Sequence, residues 1–199
     1  MVMRFEVQAH RGNDELTLRR LLQTAPSSVE IDIGLIAGEI VIAHDTDLAD
    51  ASGFGIDSAL LAAGGTTVVI EAKCFPPTTP CPRTFVAALQ PYLDRIALCS
   101  FEERVLVEAL RAQPALETTF LFMAPQPLET SARTVGPRHD LVTRDLVASA
   151  HALGLRVVPW TVNDVPTMAA LMDLGVEGLV TDEPALAHEV AASRLAVAA

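Results

Sequence analysis

Val68-Val69-Ile70-Glu71-Ala72-Lys73 is apolar along its whole length until its last residues, where a carboxylate and an ammonium appear. A half-wet strand alternates apolar and polar residues; a near-continuous apolar run is covered on both faces, as in a parallel sheet wrapped by helices. Short β-branched runs of this kind recur at residues 5–9, 29–33, 96–99, 119–122, 157–161 and 179–181. Amphipathic stretches with recognisable ends lie between them. Ser100 followed by Glu103 reads as a capping box ahead of residues 105–110, Thr143 as the cap of residues 145–153, and Asn163 or Asp164 as the start of residues 168–174, with Gly154 and Gly175 as the stops. Alternating strand and helix implies a parallel sheet with right-handed crossovers. Seven strands are clear and an eighth fits near Thr134-Val135, so the pattern predicts an α/β fold of the (β/α)8 TIM-barrel kind, at the short end of its size range. A doubly wound open sheet is the alternative, because strand count does not establish closure. Residues 1–199 read as a single domain, with a rigid proline-rich connection at residues 76–82.

One connection departs from the alternation. Val29-Glu30-Ile31-Asp32-Ile33 and Ile40-Val41-Ile42-Ala43-His44 are too close in sequence to be parallel, so the second strand carries a hairpin. A turn centred near Ala37 sets Glu30 opposite His44 and Asp32 opposite Ile42, bringing Glu30, Asp32 and His44 to one face; a slip of one residue would separate them.

The 199 residues are half hydrophobic, enough to bury a sizeable core, and carry 14 Lys+Arg against 25 Asp+Glu, a formal charge of −11. That field repels polyanions, which argues against nucleic acid and anionic membrane as partners. No apolar run reaches the roughly 18–20 residues of a membrane helix, so a mean hydropathy of +0.35 reflects buried strands and no membrane insertion is expected. Cys74, Cys81 and Cys99 make an odd count without metal-ligand spacing, and no leader is legible in residues 1–6; the expectation is a cytoplasmic protein with reduced thiols. Short barrels with apolar helices often dimerise, which leaves a homodimer open and names no particular face.

Polar residues interrupt the apolar strands at their C-terminal ends: His10-Arg11 after the first, Glu30 and Asp32 on the second, Glu71 and Lys73 on the third. In a parallel barrel that end is the rim where sites are built. Converging carboxylates raise one another's pKa unless a cation sits among them, and hard oxygen donors suit Mg²⁺, Ca²⁺ or Mn²⁺. Glu30, Asp32 and Glu71 are therefore candidate ligands of a divalent cation. Each taken singly could equally be a partner of Arg11 or Lys73; five charges on one rim are hard to explain by stability. His10 and His44 flank the group and supply what phosphodiester cleavage needs, one base and one acid.

In their order along the chain, His10-Arg11-Gly12, Glu30-Ile31-Asp32, His44-Asp45, Glu71-Ala72-Lys73, Ser100-Phe101, Trp160-Thr161-Val162-Asn163 and residues 178–184 resemble the motifs of the glycerophosphodiester phosphodiesterase family. The resemblance implies a (β/α)8 barrel in which Glu30, Asp32 and Glu71 hold the metal, His10 and His44 act as acid and base, and Arg11 and Lys73 contact phosphate oxygens. It implies hydrolysis of a small-molecule phosphodiester through attack at phosphorus by the substrate's own neighbouring hydroxyl, releasing an alcohol and glycerol phosphate. Trp160 would be an apolar wall beside the substrate or, as readily, an aromatic that closes the barrel top. Asn163 and Asp182 are read as fixing loops. The sequence departs from the family in two places: Glu15-Leu16-Thr17-Leu18 replaces the usual Pro-Glu-Asn-Thr segment, and only residues 48–69 stand where a covering insertion is usual. A more open site leaves two other readings, a lysophospholipase D-like or other phosphodiesterase and a non-catalytic barrel that binds a phosphoester.

Overall fold

The computed structural model describes residues 5–36, 38–44, 53–73 and 81–197. Ala37, Asp45, Cys74 and most of the proline-rich connection, assigned roles above, lie outside them.

The elements alternate as the sequence predicts: β1 (Glu6–Ala9), α1 (Glu15–Leu22), β2 (Ser28–Ile36), β3 (Glu39–Ile42), α2 (Ile56–Ala63), β4 (Thr67–Ala72), α3 (Pro82–Leu89), β5 (Ile96–Ser100), α4 (Glu103–Ala112), β6 (Thr118–Phe122), β7 (Thr134–Pro137), α5 (Arg144–Ala152), β8 (Arg156–Val157), α6 (Val165–Leu174), β9 (Gly178–Thr181) and α7 (Pro184–Val197). Eight parallel strands run in the order β8-β7-β6-β5-β4-β2-β1-β9, with β3 antiparallel on β2. The two ends of that path meet. Glu177 N donates to Val157 O at 3.1 Å, Val180 N to Pro159 O at 2.9 Å, and Val162 N to Val180 O at 2.9 Å. These bonds close the ring, so the fold is the barrel and not the open sheet.

The chain beyond β8 differs from the expected strand at 157–161. Regular pairing stops at Val157 because Pro159 has no N–H to give a ladder. The segment stays extended, with Val158 N bonded to Val135 O and Trp160 N to Pro137 O.

Strand residues alternate between two environments. Val29, Ile31 and Ile33 of β2 pack outward with Leu18 and Leu21 of α1, while Val135, Val157 and Leu179 pack with Met168 and Leu171 of α6. Each such side chain contributes about 1.5–3 kcal/mol by leaving water. The intervening residues of β2, Glu30 and Asp32, therefore face the barrel axis.

Thr143 and Asp164 cap α5 and α6 as read from the sequence, accepting from Leu146 N at 3.1 Å and Thr167 N at 2.9 Å, and Gly175 ends α6 with φ 89. The Ser100–Glu103 capping box does not form. Ser100 is the buried last residue of β5, its Oγ donates to Ala72 O and accepts from Glu102 N, and the Glu103 carboxylate is taken by Thr130 and Ser131. The serine ties one strand end to the next and the helix starts later, behind Glu102.

The hairpin exists with a register one residue away from the expected one. Ile33 pairs with Ile42 and Gly34 with Val41, which sets Asp32 level with Ala43, whose N donates to Asp32 O at 3.1 Å. No helix among the described residues is long and apolar enough to cross a membrane.

Candidate active site

The C-terminal ends of β1, β2 and β4 lie side by side, because β1 pairs with β2 and β2 with β4. In that ladder Asp32 stands level with Glu71, and Glu30 one step below on the same face. Glu30, Asp32 and Glu71 are all buried, and each offers a carboxylate oxygen within 4.8 Å of the other two. Glu30 Oε2 accepts from Arg11 N at 2.9 Å, and Asp32 Oδ2 accepts from Asn13 Nδ2 at 2.6 Å. The oxygens left over are Glu30 Oε1, buried without a hydrogen-bond partner among the described residues, and Asp32 Oδ1, which meets the Lys73 ammonium at 2.8 Å. Lys73 is itself 6% exposed and lies 2.5 Å from Glu71 Oε1.

Burial, reinforced by the charges of Asp32 and Glu71, holds the Glu30 carboxyl well above the usual carboxylate range. Burial also raises Glu71, against the pull of Lys73. Asp32 goes the other way: burial would raise it, but Lys73 and the Asn13 amide outweigh that and hold it below its ordinary value. Three buried carboxylates with one lysine are short of positive charge, and the orphaned Glu30 oxygen points to the missing partner. A divalent cation with hard oxygen ligands fits this donor set.

Arg11 adopts φ 58, a left-handed conformation uncommon for a residue with a side chain. The twist turns its N–H onto Glu30, and Gly12 N follows onto Glu30 O at 2.8 Å. Its guanidinium reaches His44 Nε2, with Nε 3.9 Å from Asp32 Oδ2. His44 thus joins the carboxylates despite the shifted register, because the chain leaves strand geometry after Ile42 and the strict alternation of faces ends with it.

His10 follows β1 and is joined to the far end of the chain. Its Nδ1 lies 2.8 Å from Asp182 Oδ1, directly after β9, and burial lowers its pKa although Asp182 pulls the other way. Asn163 completes the arrangement: its Nδ2 donates to Asp182 Oδ2 at 2.6 Å and its Oδ1 accepts from Asp182 N at 2.9 Å. Asn13 and Asp182 were not read as site residues from the sequence. The proximity of Asn13 to His10-Arg11-Gly12 is the only signal for the first; the second lies in the motif at residues 178–184, which gives it a loop-fixing role but not its contact with His10.

Trp160 is half-buried, donates from Nε1 to Gly136 O at 2.7 Å, and meets Phe101 edge-on at 5.5 Å between ring centroids. Both rest on Val69, Cys99 and Leu121, an apolar floor across the barrel below the rim. Beneath it a cavity of about 1180 Å³ opens at the opposite, N-terminal mouth, where Glu6 pairs with Arg156 and Glu117 with Arg133. Glu177 also lines it, paired with His151 outside the lining, and the cavity lies away from the carboxylate trio. His139, His151 and His188 sit outside the cluster, on a short 3-10 turn and on α5 and α7.

The glycerophosphoryl diester phosphodiesterase family model matches residues 78–186, more than half of the chain. The chain belongs to this family. The glycerophosphodiester phosphodiesterase of Bacillus subtilis is 31% identical over 106 residues, 48% of this chain and 36% of that enzyme. That of Caldanaerobacter subterraneus is 25% identical over 97 residues, 46% of this chain and 40% of that one. The matched stretches thus span little more than a third of these relatives. The solved phosphodiesterase folds extend the likeness over the whole barrel. The Parabacteroides distasonis structure superposes with a TM-score of 0.79 at 20% identity, covering 96% of this chain and 98% of that one. The Oleispira antarctica phosphodiesterase, solved with the product sn-glycerol-3-phosphate, gives 0.77 at 20%, covering 93% and 96%. The family match contains Trp160, Asn163 and Asp182; His10, Glu30, Asp32, His44 and Glu71 precede it.

Proposed function

We propose that this chain is a metal-dependent phosphodiesterase that hydrolyses glycerophosphodiesters to an alcohol and glycerol 3-phosphate, with residues 1–199 forming one catalytic barrel. The observation that carries the reading is the buried Glu30–Asp32–Glu71 trio with a histidine on either side, His10 and His44. Family membership supports it, as does the product found in the Oleispira structure.

A divalent cation, Mg²⁺, Ca²⁺ or Mn²⁺, held by Glu30, Asp32 and Glu71 would supply Lewis acidity at the phosphoryl oxygens. The chain's own residues move the protons. Asp182 occupies His10 Nδ1, which leaves Nε2 as the ring nitrogen for the substrate, and a lowered pKa keeps that nitrogen unprotonated at neutral pH. His10 takes the proton from the substrate's neighbouring hydroxyl as its oxygen attacks phosphorus. With the Arg11 guanidinium, a donor only, drawn from His44 Nε2 to the phosphate, His44 would give a proton to the departing alcohol oxygen, and water would then open the cyclic phosphate. Arg11 and Lys73 carry the positive charge that offsets the growing negative charge on phosphate. Cys81 and Cys99 are free thiols, which supports a cytoplasmic setting.

The test is turnover on glycerophosphodiesters by protein stripped with chelator and then given back Mg²⁺, Ca²⁺ or Mn²⁺. Metal-restored release of glycerol 3-phosphate supports the reading; silence across the panel with metal bound rejects it.

A second reading keeps the chemistry and changes the leaving group. Phe101 and Trp160 meet at the barrel rim and the exposed Met123 follows β6, apolar groups that suit a lysophospholipid. Side-by-side turnover of glycerophosphocholine and lysophosphatidylcholine separates the two.

A further inference from the structure

Asp32 has one carboxylate oxygen held by the Asn13 amide, which leaves the other, Oδ1, better placed to meet a cation entering the trio. That oxygen lies 2.8 Å from the Lys73 ammonium, which also reaches Glu71 Oε1. The lysine is placed there by the backbone. Its N–H donates to Ile33 O at 2.8 Å, pinning residue 73 to β2 immediately beyond the end of β4. From that anchor a side chain only 6% exposed has its charged end among the carboxylates instead of at the open rim.

We propose that Lys73 is a resident counter-cation of the acidic trio, in competition with the divalent cation for Asp32 Oδ1 and Glu71, and that it sets the metal affinity of the site. The inference rests on reading Glu30, Asp32 and Glu71 as metal ligands, and it differs from the phosphate-contact role implied for Lys73 by family resemblance. Charge counting favours it. Lys73 already meets two of the three carboxylates, so its ammonium lowers the demand for metal and stabilises the trio when metal is removed. A divalent cation held by the trio would displace the ammonium from Asp32 Oδ1, leaving the Lys73 donors for a substrate anion. Metal would then bind before the phosphodiester.

The experiment is Mn²⁺ titration by calorimetry on chelator-stripped wild type, Lys73→Met and Lys73→Arg, with thermal midpoints measured in chelator and in saturating Mn²⁺. The expected result for Lys73→Met is Mn²⁺ affinity raised at least about tenfold, a lower midpoint in chelator, and a larger upward shift on adding Mn²⁺. Lys73→Arg, which keeps the charge, should bind Mn²⁺ close to wild type. Equal or weaker Mn²⁺ binding by Lys73→Met overturns the proposal. If Lys73→Met does not fold in chelator, it is purified in Mn²⁺ and its affinity read by competition with a chelator of known strength, with the same criterion. No Mn²⁺ uptake by wild type or either variant would instead remove the metal site itself, which separates failure of that reading from failure of this one.

Discussion

His10 and Asp182 are 172 residues apart in sequence and 2.8 Å apart at the barrel rim. β1 and β9 bring them together: Ala9 pairs with Thr181, so the next residue of each strand meets its counterpart at the strand ends. Asn163 fixes the chemistry of that contact. Its Oδ1 is held by Asp182 N and the Thr181 hydroxyl, so its Nδ2 must be the group that donates to Asp182 Oδ2. An ionised Asp182 then accepts from both sides, and neutral His10 carries its proton on Nδ1.

Asp182→Asn reverses this. The new amide must turn its oxygen toward Asn163 and its NH2 toward His10, so the imidazole has to accept at Nδ1 and carry its proton on Nε2. A histidine in that tautomer cannot serve as the base at the substrate. We expect kcat to fall at least about tenfold with little change in KM, and nitrogen chemical shifts of His10 to report the other tautomer. Unchanged kcat with the tautomer shown to be reversed would rule out His10 as the base.

Burial lowers the His10 pKa, so kcat/KM should be flat near pH 7 and its acid limb should lie below the ordinary histidine range. Asp182 opposes that lowering. Its removal in Asp182→Ala should move the acid limb to still lower pH, even as the maximal rate drops. A limb that moves upward, or a profile flat from pH 5 to 8 in the wild type, contradicts a histidine base.

The barrel was legible because its evidence is local. Buried strands announce themselves by apolar runs, and Thr143, Asp164 and Gly175 mark helix ends within a few residues of chain. Glu30, Asp32 and Glu71 stood out as charges in such runs. What escaped depends on partners distant in sequence: Asp182 needs closure between first and last strands, Ser100 was claimed by a strand instead of a helix start, and the hairpin register turned on one residue near Ala37. His44 reaches the site for a reason that strand alternation could not supply, the loss of strand geometry after Ile42.

Glu30 illustrates a conflict between stability and function. Its folded pKa is raised, so its favourable contribution is complete below the unfolded pKa of about 4.3 and is lost as pH rises through the folded value. At pH 7 in chelator the carboxyl is therefore a burden, whether it stays ionised without a cation or takes up a proton. Glu30→Gln keeps the shape and removes the charge, and it should stabilise the stripped protein by about 1–3 kcal/mol. The same change should abolish the upward shift in thermal midpoint that Mn²⁺ gives the wild type. Parallel melts in chelator and in Mn²⁺ read both effects, and a stripped variant less stable than wild type would refute the charge argument.

Gly12 is needed for a different reason. A Cβ there would lie 2.8 Å from Val29 Cγ1 and 3.1 Å from Leu18 Cδ1, both in the packed layer between α1 and β2. Neither neighbour has space to retreat, since both are fully buried. Gly12→Ala should therefore destabilise by about 1–3 kcal/mol, as overpacking does. For a chain of this size that lowers the thermal midpoint by roughly 2–4 °C per kcal/mol. The displaced turn also carries Arg11, whose N–H holds Glu30 and whose guanidinium holds His44. Activity should consequently fall more than folding does, measured at a temperature where the variant remains folded. A variant with the expected loss of stability but wild-type kcat would show that the turn's exact position does not govern the histidine–carboxylate arrangement.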